Sequence, residues 1–341
     1  MRVHWVDFLR IISAIAVIVV HTTTSYFATL DPSAALWWFA NFLMSFGKSM
    51  GTACFVMLAG YVLLSKEINY RDFYRSRAKR LLIPLIFWSL FYSCFVYVFI
   101  DPSIKDFFWR ISIGMLLSGE AYFHLWYLSM FISLMVLTPL LNKWIHGTKP
   151  NFEDLKVIVV IFSVFFALSS LSNIKKILTN GGIEWFKSFG IYIVYFVLGH
   201  LIATHIKSIK ISTQHLLIAY GAVILTTVTL NYFLAASGTR NDNAIIGNDT
   251  LLGFIGTLLF FTIVAKIKPG EQIKDSLCKA AANGFGVYLV HPFVLFFIFK
   301  LTYILTNNPT ISILLAIVFT TIISFVLTAT IRKTTFGRLI T

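Results

Sequence analysis

Ten stretches of this chain are apolar over the length that a membrane core demands. They lie near residues 5–27, 36–64, 82–100, 122–141, 155–172, 184–206, 215–236, 249–266, 279–300 and 310–330. A hydrocarbon core takes roughly 20 helical residues to cross. In lipid each backbone N–H and C=O must find its partner inside the protein. The expected fold is therefore an all-α integral membrane protein, a bundle of about ten transmembrane helices. It forms one transmembrane domain over residues 1–341, with no separate soluble domain. The length of 341 residues would suggest two domains in a soluble chain, but only 12% of residues are charged, about half the share of a soluble domain. The stretch at 105–118 is apolar but short, and fits an interfacial or re-entrant helix.

The formal net charge of +14 comes from 28 Lys+Arg against 14 Asp+Glu. In a soluble protein it would suggest a nucleic-acid partner. Here the basic residues cluster between apolar runs and read as topology signals, so the expected partner is the lipid bilayer and not nucleic acid. With the N-terminus in the cytoplasm, all 28 fall inside except Lys48, Lys105, Arg110, Lys175, Lys176, Lys187, Arg240 and Lys300. An even number of spans puts the C-terminus in the cytoplasm too. No cleavable leader pattern is present, because Asp7 and Arg10 interrupt the first apolar run. Cys54, Cys94 and Cys278 show no paired spacing, and read as small packing residues rather than disulfides or metal ligands.

Ionisable groups at membrane depth are costly, so they usually line a cavity or pair with one another. The first run carries Asp7, Arg10 and His21. Arg10 and His21 come within about 20° of one helix face, roughly 16.5 Å apart along the axis. Asp7, three residues before Arg10, is its natural ion partner. The plain alternative is an interfacial anchor at one end and a capping histidine at the other. Before the third run, Arg75, Arg77, Lys79 and Arg80 fit ordinary inside-positive topology. Arg77 and Arg80, at i, i+3, would also aim two guanidinium forks one way, as phosphate recognition needs.

Glu120 and His124, at i, i+4 where the fourth run opens, can hydrogen-bond on a helix that starts early enough. They fall at the level of His21, where an aromatic interfacial belt reads equally well. His291 precedes Pro292 near mid-membrane, where it can satisfy a carbonyl freed by a proline kink. His200 stands alone and reads as structural. Lys48 sits beside Gly47 and Gly51, where the overlong second run is expected to kink or break.

Five motifs in order resemble the bacterial membrane acyltransferase-3 family. They are Asp7-x-Leu-Arg10-x10-His21, Phe55-x4-Gly60-Tyr61, Arg77-x-x-Arg80-Leu-Leu-Ile-Pro84, His124-Leu-Trp126-Tyr127 with Thr138-Pro139-Leu140, and Tyr288-Leu-x-His291-Pro292. Ile11, Ala59, Asn283 and Gly284 depart from the family's common residues without removing a reacting group. The His21-Thr-Thr-Thr24 stretch is similar to stand-alone O-acetyltransferases of enterobacterial common antigen.

The resemblance implies a multi-pass enzyme of the bacterial cytoplasmic (inner) membrane. It would transfer an acyl group, usually acetyl, from cytoplasmic acyl-CoA to a hydroxyl of an envelope glycan or lipid-linked saccharide. Acetyl-CoA would be the donor, and no metal is expected. Arg10, Arg75, Arg77 and Arg80 would hold the donor. His21, Arg10, Asp7, His124, Glu120 and His291 would form the catalytic set. His21 would act as general base or as transient acyl carrier. A transporter or flippase of a lipid-linked intermediate is the alternative from another functional class, since intramembrane His and Arg and a broken helix would suit it equally.

Overall fold

In a computed structural model of the chain, the described residues are 4–110, 121–179, 189–238, 245, 247–267 and 274–341. Glu120, Lys187, Arg240 and residues 111–118 of the short apolar stretch lie outside them. Helices occur in the order α1 His4–Thr29, α2 Ala35–Met50, α3 Thr52–Leu64, α4 Tyr70–Phe99, α5 Ile104–Arg110, α6 Trp126–Thr148 and α7 Phe152–Thr179. They continue as α8 Phe189–Thr204, α9 Thr213–Ala236, α10 Leu251–Lys266, α11 Lys274–Ala281, α12 Gly284–Thr306, α13 Pro309–Ile331 and α14 Thr335–Ile340.

Among the described residues, seven helical spans are long and apolar enough to cross a membrane: α1, α2 with α3, α4, α6, α9, α12 and α13. Two of the expected runs, 184–206 and 249–266, form the shorter apolar helices α8 and α10. The run at 155–172 lies within α7. The second span breaks at Gly51, as its glycines suggested. Lys48 sits in the last turn of α2, where a cation meets the negative end of the helix dipole.

Two of the boundaries that move bear on the site. The third span begins twelve residues early: Asn69 caps α4 by accepting from the N–H groups of Arg71 and Asp72, so Arg75, Arg77 and Arg80 ride on the helix itself. The fourth begins late. Residues 121–125 form turns before Trp126, so His124 precedes α6, and its expected partner Glu120 lies outside the described residues.

The least buried of these seven spans, α13, shows how side chains sort in lipid. On α13, Leu314, Val318, Ile322 and Val326 form an exposed stripe at i, i+4 spacing, while Ser312, Ala316, Thr320, Ser324 and Thr328 face inward against α12. Small residues inside and branched ones outside invert the soluble pattern, because lipid offers apolar contact at no cost and close backbone approach is what helix pairing gains. A very close approach joins α3 to α8. A Cβ at Gly60 would stand 1.7 Å from the Phe196 carbonyl oxygen, and one at Gly199 would stand 2.0 Å from that of Met57. Only glycine fits at either position.

Candidate active site

Three histidines from three separate parts of the chain converge near the far end of α1. The His21 ring stacks on His291 of α12, with centroids 5.4 Å apart and planes 24° apart. His124 meets His291 edge-on at 5.6 Å. His124 and His291 are buried, while His21 is half-buried and touches the exposed Phe123 ring at 4.8 Å. Tyr92, Tyr122 and Tyr288 pack around His124. The Tyr288 hydroxyl also donates to the His124 carbonyl, which fixes the turn ahead of α6.

The local structure of α12 explains the orientation of His291. Pro292 has no N–H, so the Tyr288 carbonyl four residues earlier loses its helical donor. The Nδ1 of His291 lies 2.7 Å from that carbonyl oxygen. A carbonyl can only accept, so Nδ1 carries the proton. In the neutral ring Nε2 then keeps its lone pair. That Nε2 is buried and makes no hydrogen bond with the described residues. The kink reading and the functional reading of this motif therefore describe one arrangement: the kink sets the tautomer.

One rung further along, the Tyr92 hydroxyl donates to the Leu289 carbonyl at 2.8 Å and accepts from the Phe293 N–H at 3.3 Å. An unbroken helix would join those two groups directly. Tyr92 thus inserts into the hydrogen-bond ladder of α12 from α4, the kind of insertion that opens a helix.

At the other end of α1, Arg10 Nη1 lies 3.6 Å from Asp7 Oδ1. Asp7 is buried and Arg10 half-buried. A Cβ at Gly284 would come within 3.0 Å of the Arg10 Cγ, so the start of α12 leans directly on the arginine stem. Hence α1 and α12 meet twice, at Arg10 with Gly284 and at His21 with His291.

A family profile described as an acyltransferase domain matches residues 3–329. The chain belongs to this acyltransferase family. No curated protein and no solved structure matches it. The acyltransferase is a membrane protein by its apolar helices and an enzyme by its family.

The structure brings His21, His124 and His291 together, and separately pairs Asp7 with Arg10. Arg75, Arg77 and Arg80 lie toward the start of α4, which packs on α5, α6 and α14 and, through Tyr92 further along, on α12. Arg77 is half-buried over the Phe73 ring at 5.5 Å, with its Nε buried and unpartnered among the described residues, whereas Arg75 and Arg80 are exposed. His200 is buried on α8. Sequence reasoning missed Tyr92 and Tyr288. Both sit in aromatic-rich runs where no spacing sets them apart, although Tyr288 lies inside a quoted motif.

Proposed function

We propose that this acyltransferase transfers an acetyl group from cytoplasmic acetyl-CoA to a hydroxyl of an envelope glycan or lipid-linked saccharide. We further infer ten crossings of a bacterial cytoplasmic membrane, with both termini inside. The carrying observation is the pairing of α1 with α12 at two levels, an ion-paired arginine at one and stacked histidines at the other. Ideal helix rise separates Arg10 from His21 by roughly 16.5 Å, which is of the order of an extended pantetheine arm.

In this reading Arg10, Arg75, Arg77 and Arg80 meet the anionic groups of CoA at the inner face. Asp7 holds Arg10 in place. The thioester reaches the histidines, where His21, the most open of the three, takes the proton of the acceptor hydroxyl. The oxygen then attacks the thioester carbonyl, the C–S bond breaks, and the thiolate leaves with a proton as free CoA. His291 keeps an unprotonated Nε2 beside His21 and can accept or pass on that proton. His124 and its tyrosines shape the acceptor side, and Glu120 belongs to the segment leading into it.

The test is radiolabelled acetyl transfer with the protein in nanodiscs, alongside direct acetyl-CoA binding. We expect His21→Ala to abolish transfer and keep binding. Near wild-type transfer by His21→Ala would overturn the site. Movement of a lipid-linked saccharide across liposomes without consumption of acetyl-CoA would favour the transporter. Single cysteines replacing Asp72 and Thr335 should label only from the inside, and labelling of both from outside would reverse the topology.

A further inference from the structure

A second polar cluster lies at the opposite end of α1 from the histidines. His4 and Asp7 are one turn apart on α1, and Cys278 comes from α11, which packs against it. One potential ligand atom from each of the three lies within 4.8 Å of the others. The Cys278 Sγ and Asp7 Oδ2 are 3.4 Å apart. Two ligands of a tetrahedral zinc ion, bound at 2.0–2.3 Å, stand about 3.5 Å apart. Asp7 is buried, His4 and Cys278 are half-buried, and His4 Nδ1 is a buried nitrogen with no hydrogen bond among the described residues.

We propose that His4, Asp7 and Cys278 form a zinc site that clips α11 to α1. The donor set of imidazole, carboxylate and thiolate suits borderline-soft Zn2+ better than oxygen-seeking Mg2+ or Ca2+. Binding forms a Zn–S bond and releases the thiol proton to solvent. The thiolate and carboxylate then balance the charge of the ion, and a fourth position stays open to water. Asp7 divides its two oxygens: Oδ1 faces Arg10, and Oδ2 faces Cys278. Zinc would therefore hold the carboxylate that holds the arginine. Sequence inspection could not see this, because Asp7 and Cys278 are 271 residues apart.

The experiment is zinc titration of the detergent-purified full-length protein against a chromophoric chelator, with metal content measured after desalting. We expect one equivalent of zinc in the wild type and in Cys94→Ser, and its loss in His4→Ala and in Cys278→Ser. A second measurement needs no variant. Zinc should slow maleimide modification of Cys278, read by peptide mass spectrometry, by roughly tenfold at 90% occupancy, since only the empty fraction reacts. Magnesium should give no protection. Equal zinc retention by wild type and Cys278→Ser, or a Cys278 labelling rate indifferent to zinc, would overturn the proposal. Neither result bears on acetyl transfer, so the two readings fail separately.

Discussion

The rings of His21 and His291 stack at a centroid distance of 5.4 Å, and the second ring is oriented by the proline that follows it. Pro292 removes an N–H, the Tyr288 carbonyl turns to His291 Nδ1, and the lone pair is left on Nε2. A backbone defect thereby selects one of two imidazole tautomers.

Pro292→Ala restores the N–H and returns the Tyr288 carbonyl to the helix ladder. His291 then loses the reason for a fixed tautomer. We expect kcat to fall roughly tenfold, less than the effect of losing a general base outright, with the acetyl-CoA KM unchanged and the melting temperature equal or higher. A fall in binding with kcat intact would contradict the tautomer argument.

Arg10 and His21 should separate kinetically. Arg10 meets an anion that is unchanged throughout the reaction, so Arg10→Ala should raise the acetyl-CoA KM. His21 matters only as the proton moves, so His21→Ala should remove kcat, by about a hundredfold or more, with donor binding largely kept. Initial rates over a range of donor concentrations, with equilibrium binding alongside, give both numbers.

The basic face of α4 is tested by pairs. Replacing Arg77 and Arg80 with Gln should weaken acetyl-CoA binding more than replacing Lys207 and Lys210 with Gln. The half-buried guanidinium of Arg77 is the feature that distinguishes the first pair. Equal small losses from both pairs would leave the α4 arginines as topology signals only.

Gly60→Ala drives a methyl group into the Phe196 carbonyl, whereas Gly221 has open space around it. We expect Gly60→Ala to cost about 2 kcal/mol or more, in the range of overpacking, and Gly221→Ala to be neutral or mildly stabilising. Thermal unfolding in one detergent compares them directly.

Seven of the expected runs were legible as spans, because span length follows from the bilayer rather than from neighbouring helices. The break at Gly51 and the ion pair of Asp7 with Arg10 were legible for a similar reason, being local to one segment. The nearness of His124 to His21 was suggested by level, but the arrival of His291, expected near mid-membrane, was not, since contact depends on how α1, α12 and the turn before α6 pack. The start of α6 was misplaced because His124 sits in a turn whose geometry depends on a hydroxyl from Tyr288, far along the chain. Tyr92 was invisible for the same reason: its role exists only once α4 lies against an opened α12.

The backbone contact of Gly60 with α8 also bears on how the chain is made. Its partner strip around Phe196 and Gly199 emerges about 140 residues later, a delay on the order of ten seconds at ordinary rates of synthesis. Throughout that interval the interrupted second span rests in the bilayer without its tightest neighbour. Whatever receives the nascent chain must shelter that half-built wall until α8 arrives.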